Sequence, residues 1–369
     1  MTVGQKQSTR VAAGALRRFC SSSFQRVGVP ALRADLVADT IVEASLRGVD
    51  SHGIALLPEY ITRLHKGGWD PRAEPTVVQE TSATALLDGN NGLGQITTVR
   101  AVEIAVAKAS SAGTGSVGVR NSSHFGAAAY YAMLVAKEEM IGLVFTNASP
   151  AMAPWGGISP VMSNNPWSVA VPVGEELPVV MDLAMSVVAR SKIRMAALAG
   201  ERIPYGWALS KEGLITEDPD EALEGTVLPV GDYKGYAIAL IVDILAGVLT
   251  GAAFGAGVGV PFPIQIAARH ADAVLPAATY EPQHVGHLVI AINVEAFMPV
   301  ARFKARMDEL IRGIKASRLR EGFEQIFMPG EREWLCRAER ARDGIPISSS
   351  LLKRLEQIRK ELGIEPLGP

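Results

Sequence analysis

Short apolar runs set between segments of helical period leave this chain few folds. Residues 141–145 are all hydrophobic apart from one glycine and too few for a helix, so they predict a buried strand. Val99, Val102, Ala105, Val106 and Ala109 recur at helical spacing and predict a helix over about 97–110, with a strand at 116–120 behind it. Further strands are expected at 76–79, 83–87, 167–171, 179–182 and 287–292. Helices are expected at about 54–64, through Tyr131 and Leu134, at 186–198, from near Lys234, at 299–315 and at 350–362. Val29-Pro30 opens another, with Leu32, Leu36, Val37, Ile41 and Ala44 on its apolar face and Gly48 as its stop. Strands alternating with helices define an α/β class with a largely covered sheet.

Two stretches resist regular structure. Residues 147–166 hold Pro150, Pro154, Gly156, Gly157, Pro160 and Pro166, and a loop of that length inside a compact domain is usually functional. Residues 200–232 read as an irregular excursion with one short helix near Asp220. Residues 1–34 carry five arginines and no acid, superficially like a transit peptide, but Val11, Ala15, Leu16 and Phe19 form one face of an amphipathic helix. Residues 236–260 are apolar enough to suggest a membrane span, yet Asp243 and the following glycines favour a buried helix and loop.

A net charge of -2 gives no electrostatic reason to expect nucleic acid or an anionic membrane as partner. Cys20 and Cys336 lie too far apart to suggest a disulfide framework and suit a reducing, cytoplasmic setting.

Chemistry concentrates in two glycine-bounded turns, Gly48-Val49-Asp50-Ser51-His52-Gly53 and Asn121-Ser122-Ser123-His124-Phe125-Gly126. Histidine titrates near neutral pH and suits proton transfer to an alcohol whose carbon exchanges a hydride. Gly113-Thr114-Gly115-Ser116-Val117-Gly118 matches the dinucleotide pattern by letter, but follows a helix and precedes a strand, so it is a helix stop. Ser51 and His52 are sequence neighbours, whose side chains normally point apart, and the local pattern is G-x-x-S-x-G rather than G-x-S-x-G, so a serine hydrolase is not expected. His270, His284 and His287 could in principle hold a metal, but lack a supporting acid or cysteine cluster, so they are expected to be hydrogen-bonded or exposed instead. Asp182 ends an apolar strand and Lys234 starts a helix; the loops and the lysine suit phosphate and ribose binding without a Rossmann turn.

The two turns, with Leu57-Pro58-Glu59-Tyr60, Pro154-Trp155-Gly156-Gly157, Val180-Met181-Asp182-Leu183-Ala184, Ile203-Pro204-Tyr205-Gly206-Trp207-Ala208, Lys234-Gly235-Tyr236 and Pro329-Gly330-Glu331, resemble the type-2 malate/L-lactate dehydrogenase family over about residues 10–335. That family includes malate, L-sulfolactate and ureidoglycolate dehydrogenases, diketogulonate reductase and cyclic-imino-acid reductases. The resemblance implies a non-Rossmann mixed sheet with flanking helices, L-sulfolactate-dehydrogenase-like. It also implies a homodimer using NAD or NADP to interconvert a small 2-hydroxy acid and its 2-oxo acid. It places acid/base roles on His124 and His52, substrate contacts on Ser51 and Tyr60, and cofactor contacts on Asp182, Leu183, Ala184, Ser149, Lys234, Pro329, Gly330 and Glu331. Residues 121–284 would form the NAD(P)-binding domain, with 1–120 and 285–369 the dimerisation and substrate side.

Three departures mark this chain. Leu56 stands where the family often has an arginine gripping a substrate carboxylate, and an alkyl chain cannot replace a bidentate guanidinium. Arg63, Arg120 or Arg190 would have to serve instead, or the substrate differs. Ser163-Asn164-Asn165-Pro166 replaces Gly-Thr-Asn-Pro, and Ser191-Lys192 replaces Gly-Lys. Leu56 raises the alternative of cyclic-imino-acid reduction; a non-catalytic binding protein on the same fold is the bland alternative.

Overall fold

The computed structural model describes residues 8–260 and 280–368. Near the N-terminus, α1 (Ala13–Arg26) buries Ala15, Leu16, Phe19 and Phe24. Against it lies α2 (Ala31–Leu46), through Ala34, Val37, Ala38, Ile41 and Val42. Leu32 is 86% exposed, contrary to its expected place on that face. At 3.6 residues per turn it lies about 200° around the helix from Ala34, on the far side of the buried stripe. Val11 belongs not to the first helix but to β1 (Ser8–Val11), which pairs antiparallel with β12 (Ile345–Ser348). Ser348 then caps α11 (Ser349–Leu362), its hydroxyl accepting from the Leu351 amide. With α3 (Leu57–His65), these elements enclose one apolar cluster that includes the fully buried Phe24, Tyr60 and Trp69. Burying one such side chain is worth about 1.5–3 kcal/mol. The Arg10–Glu339 pair, 43% and 50% exposed, adds at most about 1 kcal/mol, so apolar burial holds this layer together.

A seven-stranded sheet forms the centre: β2 (Thr76–Glu80), β3 (Thr84–Asp88), β4 (Thr114–Ser122), β11 (Val285–Asn293), β5 (Met140–Thr146), β6 (Trp167–Val171) and β7 (Val179–Leu183), in that spatial order. The β3–β4 pair is parallel and every other pair antiparallel, so the sheet is mixed. Both chain segments flanking residue 121 contribute strands to it. The helices α4 (Gly94–Ala112) and α5 (Ala128–Lys137) cover one face through Ala101, Val102, Ala105, Tyr131, Ala132 and Val135. Gly113 closes α4 at φ +82, so the G-x-G-x-x-G letters are a helix stop followed by β4.

Residues 200–232 are more ordered than expected. Strands β8 (Ala208–Leu209), β9 (Ile215–Thr216) and β10 (Thr226–Val227) form a three-stranded sheet in the order β10-β8-β9, with α7 (Pro219–Glu224) beside it. Two-residue strands carry too little periodicity to be read from sequence. This sheet packs with α6 (Arg190–Ala199) and α8 (Tyr233–Asp243) around Met152, Met185, Ile193 and Ala239. After Asp243 the helix widens into a π turn, Ile244–Val248. Among the described residues no helix is long and apolar enough to cross a membrane. The remaining helices are α9 (Val300–Lys315) and α10 (Glu331–Asp343).

Candidate active site

The first histidine turn is shaped by two glycines acting differently. Gly48 takes φ +80, which lets the chain leave α2 sharply. Gly53 has an ordinary φ, but a Cβ there would stand 2.1 Å from Ser45 Oγ and 3.0 Å from the Ser45 nitrogen. Ser45 Oγ accepts the Ile54 amide at 2.9 Å, and the Arg340 guanidinium clasps Asp50 from α10 with both nitrogens. His52 thus leaves a turn fastened on both sides.

The second turn continues β4. Ser122 and Ser123 are wholly buried, and Ser123 Oγ accepts the Gly94 amide while donating to the Gly92 carbonyl. The His124 amide donates to Gln283 Oε1 at 3.2 Å, which also accepts the Trp69 indole N–H at 3.0 Å. Fixed this way, the His124 ring stacks on His52 at 5.7 Å between centroids and 15° between planes. Two turns far apart in sequence therefore converge within one protomer.

Each imidazole has a hydroxyl on Nδ1: Ser51 Oγ lies 2.9 Å from that of His52, and Tyr60 Oη 2.7 Å from that of His124. A carboxylate would hold a proton on Nδ1 permanently. A hydroxyl can donate to a bare Nδ1 or accept from Nδ1–H, so it serves either neutral tautomer, and it accepts from Nδ1–H in the protonated ring. Burial lowers the pKa of His52; burial, then the neighbouring His52 and His287, lower that of His124 to about 3. Both rings are therefore neutral near pH 7, the state of a proton acceptor.

The residues expected to hold a cofactor gather at the end of β7. Asp182 Oδ2 accepts the Ala129 amide at 2.8 Å in the first turn of α5, just beyond the His124 turn. Burial raises the Asp182 carboxyl to about 6, against the lowering by that hydrogen bond and by Arg47. Leu183 beside it is 52% exposed. Two residues on, the Met185 carbonyl accepts the Val230 amide and the Val230 carbonyl accepts that of Gly235, bringing exposed Lys234 to the same strand end. Ser149 lies half-buried in the loop after β5. The Pro329–Glu331 turn docks instead against mid-β7, where the Val180 amide donates to the Pro329 carbonyl. Glu331 is committed there, accepting from Lys315 Nζ at 2.7 Å and the Met328 amide at 2.8 Å. A half-buried carboxylate, an exposed apolar side chain and a lysine at one strand end fit a nicotinamide dinucleotide: ribose hydroxyls, a flat ring and a phosphate.

Arg63, Arg120 and Arg190 all have partners in the protein. Arg63 lies buried, binding the Val260 and Glu281 carbonyls and resting on the Trp69 ring, and burial lowers its pKa to about 10. Arg120 pairs with Asp88, and Arg190 donates to the Leu223 carbonyl. Leu56 is a buried core residue. His287 is held between Thr146 and Ser122 and His284 meets Asn121, while His270 lies outside the described residues. No group of three or more metal-ligating side chains occurs among the described residues.

Sequence reasoning passed over Gln283 and Arg47. Arg47, 4% exposed, lies over the Trp334 ring at 4.4 Å and faces Glu43, Glu333 and Asp182. The arginine beside Gly48 was the available signal; nothing local marked Gln283.

A mixed sheet presenting paired neutral imidazoles next to a carboxylate-ended strand is the frame of a dehydrogenase that does not use the Rossmann turn. The family model described as malate/L-lactate dehydrogenase matches residues 11–356, and the chain belongs to that family. It is an NAD(P)-dependent oxidoreductase. It is 36% identical to a malate dehydrogenase of Pyrococcus abyssi over 366 residues, covering 97% of this chain and 96% of that one. It is 40% identical to the L-sulfolactate dehydrogenase of Methanocaldococcus jannaschii over 344 residues, covering 92% and 94%. The solved structure of sulfolactate dehydrogenase from that organism superimposes with a TM-score of 0.88 at 38% identity, covering 97% and 98%. A Delta(1)-pyrroline-2-carboxylate/Delta(1)-piperideine-2-carboxylate reductase of Pseudomonas putida is 31% identical over 350 residues, covering 95% and 96%.

Proposed function

We propose that this protein interconverts a small 2-hydroxy acid and its 2-oxo acid, with His124 as the proton-transferring group and His52 beside it. The nicotinamide, when bound, supplies the hydride acceptor or donor. The observation that carries the reading is the stacked imidazole pair with a hydroxyl on each Nδ1. In the oxidising direction neutral His124, with its own proton on Nδ1 donated to Tyr60 Oη, takes the substrate hydroxyl proton at Nε2, and the Nδ1–H to Tyr60 hydrogen bond persists in the imidazolium. In the reducing direction the carboxylate of a bound oxo acid offsets the burial that holds the ring neutral, so it can carry the proton it returns. Asp182, Leu183, Ala184, Ser149 and Lys234 would hold the cofactor, with the Pro329–Glu331 turn bracing β7. The segment 121–284 would carry most of the cofactor contacts, even though its strands share one sheet with the rest.

Reduction of a cyclic imino acid is the second reading, favoured by Leu56 and by the existing partners of Arg63, Arg120 and Arg190. Turnover of oxaloacetate, pyruvate, pyrroline-2-carboxylate and piperideine-2-carboxylate with each reduced nicotinamide separates the two. The first reading predicts oxo-acid turnover well above that of the imines, and the reverse ranking contradicts it.

A homodimer is part of the proposal. Tyr233, Ile241, Val248, Leu249 and Phe254 are exposed apolar side chains along α8 and beyond, a surface that a second copy would cover. A cytoplasmic setting is supported by two cysteines that are both free.

A further inference from the structure

His287 takes no part in the chemistry above, yet it is wholly buried directly behind the His124 turn. It lies on β11, which runs between β4 and β5, and a register shift occurs at this point of the β4 pairing. Its Nε2 lies 2.9 Å from Ser122 Oγ and its Nδ1 2.8 Å from Thr146 Oγ1. The ring stacks on Phe125 at 4.5 Å, 1° from parallel, and Phe125 stacks in turn on Tyr131 at 4.8 Å. The residues two before and one after His124 therefore both rest on this one ring.

We infer that His287 is a positioning residue for His124, fixing the second turn so that the catalytic ring faces its partner and the substrate. The inference rests on the acid/base reading of His124. An imidazole suits the place because it offers a flat face to Phe125 and a polar atom at each edge. A phenyl ring would keep only the stack, and an amide only the hydrogen bonds. Burial holds His287 at about 3, so it is neutral and adds no charge to the site in use. Among the described residues, the titratable groups around the paired rings are His52 on the first turn, Tyr60 on α3, Tyr131 on α5 and His287 itself.

Steady-state kinetics of His287→Phe and His287→Gln across pH 5–9 test this, with the accepted acid substrate and nicotinamide fluorescence titrations alongside. A ring displaced by under an ångström costs up to about 100-fold in rate. The Phe variant is expected to lose about 10- to 100-fold in kcat with unchanged nicotinamide affinity, and the Gln variant to recover part of the loss. A loosened turn admits water to His124, so the fall in hydroxy-acid oxidation below about pH 6 should be steeper than the one Asp182 gives the natural enzyme. A folded Phe variant with unchanged kcat and pH profile overturns the inference, as does a kcat loss with no change in pH profile. Should the Phe variant fail to fold, Ser122→Ala and Thr146→Val must show the same steeper fall; unchanged profiles in both overturn it. Full turnover in His124→Asn would instead overturn the acid/base reading, which keeps the two failures distinct.

Discussion

A neutral imidazole buried in the protein gains its proton less readily than in the unfolded chain, and this ties the site to stability. His287, wholly buried and held at about 3 against an ordinary value of about 6.5, binds fewer protons folded than unfolded between those limits. Stability must therefore fall as pH drops from about 6.5, by up to about 1.4 kcal/mol per pH unit for one such group. Asp182 acts with the opposite sign, since its raised carboxyl binds a proton more readily in the fold, so its contribution grows as pH falls through about 6. Denaturant titrations at pH 5 and 6.5 should show a shallower pH slope for His287→Phe than for the natural protein. Equal slopes would contradict the account of this ring. At this scale the sequence exposed His52, Ser51, His124 and Tyr60 because each sits in a distinctive local motif. Gln283 escaped and His287 was legible only as a hydrogen-bonded or exposed histidine, because the contacts with Trp69, Ser122 and Thr146 that give them their place arise only in the folded sheet.

Elements with a strong period were legible and those without were not. The predicted β5, β6 and β7 fall within a residue or two of their observed ends, because covered strands read as apolar runs. The pair β1 and β12 was missed, each being four residues long with its partner at the other end of the chain. The stretch 54–64 was read as one helix, but its first turn is 3-10 (Ile54–Leu56) and only then does α3 begin. That tight turn is where Gly53 passes Ser45, and it sets the direction from which His52 enters the site. Gly53→Ala should cost about 1–3 kcal/mol by overpacking, seen as a lower unfolding midpoint, with kcat reduced in the protein that remains folded. An unchanged midpoint would mean that this close approach is not a constraint.

For the whole molecule, the family and the covered mixed sheet were legible, while the apolar face on α8 was not. From sequence those residues read only as a buried helix, since apolar surface awaiting a partner and apolar core look alike in one dimension. Ile241, 54% exposed, lies in the middle of this face. Ile241→Asp should convert a species of twice the chain mass into one of single mass by light scattering and lower activity with it. A natural protein already of single mass would refute the proposed dimer. The central claim is that His124 moves the proton while the rest of the fold holds the reactants. Its most direct test is single-turnover oxidation of the nicotinamide by the preferred acid in His124→Asn, with cofactor affinity measured on the same sample. The account predicts a loss of about 10²–10⁴-fold in turnover at unchanged affinity. Turnover within a few-fold of the natural enzyme would contradict it.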